Sequence, residues 1–374
     1  MFLKIMKQVM EGKFKSLPGN LKRWDRASGV MYKKFMILIG AMQKVGKTSF
    51  VTERYIYYPF LYADTKVKIK FYAYEIDLFQ FQANSVSWYL NHKYKVRLAP
   101  RFIMGREQEL DGTPKLPTPE DLEWIKRAYT EFVEPLVGVY DDNGIRTKEG
   151  MVDFIVDRQN PNAIYKSMMK YANKNGKWIN KNGEIVESRT PSTKEIITGY
   201  KENDEDLITI WIFDHLGLIP LLSGKSRKET LDTLCDYLIY FRNLCNFSFI
   251  PISQFNRGMK STDRLKFSGN NIQPSTEDFM ETSLFTQGCD QCIALFNPSE
   301  FPHLAEHLGY DVNVFQNVLR SVHLLLNRIG DAPRNAGLIF DGKCKTFKEM
   351  PLPNSNNLSK AITFSQKLIA EFFN

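Results

Sequence analysis

No stretch of this chain approaches the ~20 consecutive apolar residues that a bilayer span requires. The opening Met1-Phe2-Leu3-Lys4-Ile5-Met6-Lys7 interrupts its apolar residues with lysines, so neither a membrane span nor a secretory leader is expected. Disulfide chemistry is equally thin. Five cysteines, odd in number and scattered over 374 residues, cannot supply a framework of paired bridges and point to a reducing compartment. The expected location is the cytoplasm. Cys289 and Cys292 form a C-x-x-C, but no second pair and no histidine stand at zinc-ligand spacing. They read as small core residues flanking a strand. Charge of one sign does not dominate either: 50 Lys and Arg face 42 Asp and Glu, leaving +8. That excess permits a polyanionic partner without identifying one. What the chain does have is apolar content, 43%, enough for one large domain or two small ones with a substantial core.

The apolar residues are organised. Residues 35–39, 207–213, 247–253, 292–296 and 322–326 are short apolar runs, and residues 68–74 alternate. Near-continuous apolar runs suit strands buried on both faces. Helical patterns lie between them, notably over residues 230–243, and strands alternating with helices predict an α/β fold on a mostly parallel sheet. Near the start, Phe2, Ile5, Met6, Val9, Met10 and Phe14 stand at helical spacing before a Pro18-Gly19 break. This amphipathic helix packs either on its own domain or on a neighbouring subunit.

The most specific signal is Gly40-Ala41-Met42-Gln43-Lys44-Val45-Gly46-Lys47-Thr48-Ser49, between the first strand and a helical pattern over residues 49–55. A strand, a tight loop ending in Gly-Lys-Thr and a helix together cradle a nucleoside triphosphate. Loop N–H groups from Ala41, Gln43, Lys44, Val45 and Gly46 through Ser49 converge on the phosphates. Lys47 adds a point charge and the Thr48 hydroxyl can hold Mg²⁺. Three strand-end residues extend the site, because ligands of open α/β sheets sit outside the carboxyl ends of the strands. Asp214 suits a carboxylate holding Mg²⁺ directly or through water. Glu75 suits a general base polarising water. Gln254 suits a sensor of the terminal phosphate.

At these residues the sequence resembles the DnaB-like replicative helicases, whose motor domain is a RecA-like P-loop NTPase with a mostly parallel central sheet flanked by helices. The likeness runs from about residue 17 to 340. It takes in residues 17–25, the phosphate loop with alanine at its first position, Tyr72-Ala73-Tyr74-Glu75-Ile76 and Ile212-Phe213-Asp214-His215-Leu216. It continues through Ser253-Gln254-Phe255-Asn256-Arg257, the motif keeping Pro274, Asp278, Glu281, Gln287 and Asp290, and Asn327-Arg328-Ile329-Gly330. The resemblance implies a ring, commonly a homo-hexamer, with ATP and Mg²⁺ between subunits. Arg328 would act as a finger on the neighbour's γ-phosphate. Single-stranded DNA would thread the pore, held without sequence readout by the loop at Met280, Glu281, Thr282 and Ser283. Lys260, Arg264 and Lys266 would add charge to that groove or form a solvated basic loop.

Departures from the pattern bear on DNA binding more than on ATP binding. The family's Arg-Glu-Ser-Gly is replaced at residues 280–283, removing a cation and a flexible glycine. Leu326 stands where the family has a lysine, and Arg334 is the candidate substitute. The expected layout is a linker-like helix over residues 1–15, a motor over 16–350 and a tail helix over 351–374. An insertion at about 140–205 carries a hairpin turned on Asn182-Gly183. No room is left for the N-terminal primase-binding domain of many relatives, which fits a phage or plasmid system in a host cytoplasm, with a primase or loader as further partner. The expected function is an ATP-dependent replicative helicase. The alternatives are a RecA-fold DNA scaffold (recombinase or helicase loader) and a regulatory ATPase resembling KaiC.

Overall fold

The computed structural model describes residues 2–12, 15–109, 111–141, 143–190, 196–261, 264–265, 271–279 and 283–373. Its centre is a sheet of nine strands: β1 (Ile37–Ala41), β2 (Val67–Ala73), β3 (Val152–Ile155), β4 (Ile208–Asp214), β5 (Ser248–Gln254), β6 (Gln291–Phe296), β7 (Leu319–Asn327), β8 (Arg334–Asp341) and β9 (Thr346–Glu349). The order is β9-β8-β7-β6-β1-β5-β4-β2-β3. β6 through β3 run parallel, and β7, β8 and β9 extend one side antiparallel. Each apolar run of the sequence is a strand here, its ends displaced by up to three residues.

Burial follows from the layering. β1 and β4 are buried at every position, as central parallel strands covered on both faces must be. One face packs Phe50, Ile56, Trp88 and Phe132 from the helices after β1 and β2. The other packs Leu234, Leu238 and Phe241 of the helix Arg227–Cys245 together with Trp211 and Phe213. That helix starts on a capping box at Ser226 and Glu229 and ends on Asn246 in the left-handed region, so its boundaries are set locally. Cys289 and Cys292 are buried free thiols, and among the described residues no cluster could hold a metal through such ligands. Nor is any described helix long and apolar enough to cross a membrane.

β3 lies inside the insertion expected at about 140–205 and forms the sheet's edge beside β2. The hairpin within it pairs Gly176–Asn180 with Ile185–Val186 around a four-residue connection. The Asn180 side chain accepts from the N–H groups of Asn182 and Glu184. An Asx-type contact thus shapes a longer turn than the two-residue one that Asn182-Gly183 suggests. The helix Phe2–Met10 forms as expected, with Met6, Val9 and Met10 exposed. The tail folds as the helix Leu358–Phe373, burying Ala361 and Leu368.

Candidate nucleotide site

Register brings the candidate residues to one edge of the sheet. Ala41 at the end of β1 lies beside Gln254 at the end of β5, and Asp214 at the end of β4 lies beside Ala73 at the end of β2. Glu75 follows two residues later. The chain leaves β1 through Met42–Gly46 and enters the helix Lys47–Thr52, which runs on through a π-type turn to Tyr62. Gly46 sits at φ 104°, where a Cβ would be strained and would also press on the stacked rings of Phe340 and Phe347. Lys44 takes a positive φ as well. Gly40 is required for a different reason: a Cβ there would overlap the rings of Phe255 and Phe279.

The side chains form a connected group. The Thr48 hydroxyl donates to Asp214 Oδ2 at 2.6 Å. Asp214 is buried and its Oδ1 has no partner among the described residues. Burial pushes its carboxyl up to about 6, against the Thr48 hydrogen bond. An unpartnered buried carboxylate oxygen beside a hydroxyl is the donor set that Mg²⁺ takes, so Thr48 and Asp214 fit a bound divalent cation. Lys47 is buried, with Nζ donating to Met42 O at 3.3 Å.

Glu75 is the exposed member. Its Oε1 lies 3.2 Å from Nε2 of His215, the residue after Asp214 across a cis peptide bond. His215 Nδ1 accepts from the Gly217 N–H at 3.1 Å, so Nε2 carries the proton and donates to Glu75 even when the ring is neutral. That hydrogen bond, helped by the charge of Lys47, holds the Glu75 carboxyl below its ordinary range despite partial burial. An ionised, oriented carboxylate results, as a base acting on water requires. His215 was only a bystander in the sequence; a histidine after a strand-end acid carries no signal until the fold turns it toward Glu75.

Other expected residues go elsewhere. Arg328 follows β7, whose Asn327 pairs with Gln291 at the start of β6, itself level with Ile37 at the start of β1. Arg328 therefore stands at the edge opposite the phosphate loop, donating to Gln287 O. Arg334 starts β8 at the same edge, paired with Asp331 at 2.9 Å. Arg264 is bound to the buried carboxylate of Asp278, and Lys260 pairs with Glu300 at 2.9 Å. Both cations are engaged within the chain rather than held free for a groove. Ser283 begins the helix Ser283–Gly288. Lys266, Met280, Glu281 and Thr282 lie outside the described residues. Asp290 caps the strand layer, accepting from Met36 N–H at 2.8 Å and pairing with Arg242 at 3.0 Å.

Neither a protein-family model nor a curated protein matches this sequence. Among solved structures, the chain is similar to the ATPase domain of G40P, with a TM-score of 0.63 at 14% identity over 94% of this chain and 97% of that one. It is also similar to a DnaB-like replicative helicase whose structure was described with its interactions with primase. There the TM-score is 0.61 at 14% identity over 92% of this chain, which spans 65% of that protein. The fold is thus the RecA-like fold of DnaB-like helicase ATPase domains.

Proposed function

We propose that this chain is the motor subunit of an ATP-driven ring, commonly a hexamer, that moves along single-stranded DNA and unwinds duplex. The carrying observation is the joined group of Lys47, Thr48, Asp214, His215 and Glu75 at one edge of a helicase-like fold. In this reading Lys47 and the loop N–H groups bind the phosphates. Thr48 and Asp214 would hold Mg²⁺, which would supply neutralisation of the phosphate charge. Glu75, ionised and aimed by His215, polarises the attacking water, and Gln254 senses the terminal phosphate. Arg328 cannot serve its own site from the opposite edge, so it serves a neighbour's. The exposed Met6, Val9 and Met10 of the first helix suit a surface covered by an adjacent subunit. Met280, Glu281, Thr282 and Ser283 are the residues this reading assigns to DNA contact, and a primase or loader accompanies the ring.

A RecA-fold DNA-binding scaffold whose ATP state sets assembly is the second reading. Strand displacement on forked DNA with ATP separates the two. The motor reading expects ATP-dependent unwinding by a ring-shaped particle. ATPase stimulated by single strands without unwinding, where a ring assembles, transfers the case to the scaffold. No salt-dependent DNA binding at all removes both and leaves a regulatory ATPase.

A further inference from the structure

Behind the phosphate loop lies a buried cation that the reaction, as read above, does not use. Arg320 is 2% exposed and sits near the start of β7, where Ser321 pairs with Phe296 at the end of β6. Strand direction therefore places it level with the loop. Its Nε donates to Val45 O at 3.0 Å, Nη1 to Asn317 O and Leu319 O at 2.7 and 2.8 Å, and Nη2 to Asn317 Oδ1 at 3.3 Å. The guanidinium lies 5.4 Å from the centre of the Phe340 ring, one of the two rings that also border Gly46.

All of these acceptors are carbonyl or amide oxygens. No carboxylate pairs with Arg320 among the described residues. The acid that bears on it most, Glu300, is bound to Lys260. Burial draws the Arg320 pKa down to about 10, which still leaves it charged at neutral pH. A buried cation without an anion is costly, and the space beyond the loop is where this reading puts a polyanion.

Geometry supplies the second half. The Val45–Gly46 peptide is trans, so its C=O and N–H point in opposite directions. Holding the Val45 carbonyl toward β7 turns the Gly46 N–H away from β7. We propose that Arg320 is a positioning residue for the phosphate loop: it fixes the Val45–Gly46 peptide so that its N–H meets a phosphate, and the bound polyphosphate compensates its charge. This rests on the reading of the loop as a nucleotide site.

The test uses the full chain with Arg320→Gln and Arg320→Lys, measuring displacement of a fluorescent nucleotide by ATP and by adenosine, with steady-state ATPase alongside. For Arg320→Gln, ATP affinity falls about tenfold or more, the scale of a lost charge-assisted hydrogen bond. Adenosine affinity holds, and KM rises more than kcat falls. Arg320→Lys keeps the charge, loses the fork and recovers part of the ATP affinity. Wild-type ATP affinity in a folded variant overturns the proposal, as does an equal loss for ATP and adenosine, which a merely structural role would produce. If Arg320→Gln does not fold, Arg320→Lys decides by the same ATP-to-adenosine ratio. A wild-type chain that binds no ATP overturns the nucleotide-site reading itself, an outcome distinct from failure of the Arg320 assignment.

Discussion

The two ends of β7 behave differently. At its start Arg320 is buried and makes four hydrogen bonds, one of them to Val45 O in the loop. Just past its end Arg328 stands on the opposite edge, bonded to the carbonyl of Gln287 and the backbone of Asp290. Eight residues of strand separate them, roughly 27 Å at 3.4 Å each. One strand thus carries a cation bonded to the loop after β1 and another at the opposite edge of the sheet. On the proposed ring reading, the first would serve its own chain and the second would act only beside a second copy.

The largest expected effects strike the near edge. Lys47→Ala should abolish nucleotide binding or turnover. Glu75→Gln should keep binding while lowering kcat by about two to four orders of magnitude, the range for losing a general base. Nucleotide binding and single-turnover hydrolysis would check both. If Glu75→Gln turns over normally, the base lies elsewhere.

The far edge is tested by mixing. Arg328→Ala should lose hydrolysis alone and regain a fraction of it with Lys47→Ala subunits, because intact fingers then face intact phosphate loops. ATPase of the mixture across subunit ratios is the measurement. Absence of recovery would overturn the assignment of Arg328 as a finger.

Smaller effects probe the packing behind the loop. Gly40→Ala should cost about 1–3 kcal/mol, as overpacked cores do, because its methyl group would collide with Phe255 and Phe279. Chemical denaturation reads this directly.

Glu53, buried in the same helix, accepts from Trp88 Nε1 and Phe347 N–H, and burial pushes its carboxyl up to about 8. A carboxyl raised on folding binds its proton better in the native state. Its stabilising contribution is complete below its unfolded value and fades as pH rises through about 8. The buried His307 and His323, held down to about 4 and 3, act in the opposite sense, on the acid side of their unfolded value. The slope between pH ~6.5 and 8 therefore reports Glu53, with a loss of up to about 2 kcal/mol. Glu53→Gln should flatten it.

Much of the near edge was legible in advance. Strands buried on both faces announce themselves as apolar runs, and a Gly-Lys-Thr after one of them is a local pattern. The polar residue closing each run, Glu75, Asp214 or Gln254, is visible because apolar periodicity stops there. His215 and Arg320 were not legible, since their roles depend on partners distant in sequence: Val45 is 275 residues from Arg320. Gly40 read as an ordinary loop flank until two aromatic rings closed over it. The ion pairs of Lys260 with Glu300 and of Arg264 with Asp278 were likewise not legible, because each joins residues separated along the chain.

By itself the sequence determined the parallel core, the Gly-Lys-Thr loop after β1 and the acids at the strand ends, because strand burial and loop composition are written in neighbouring residues. Tertiary structure alone decided the antiparallel extension's direction, and with it which arginine bonds to this chain's loop and which stands at the opposite edge. Strand pairing is a long-range choice, and reversing one strand exchanges the edges to which its two ends are delivered.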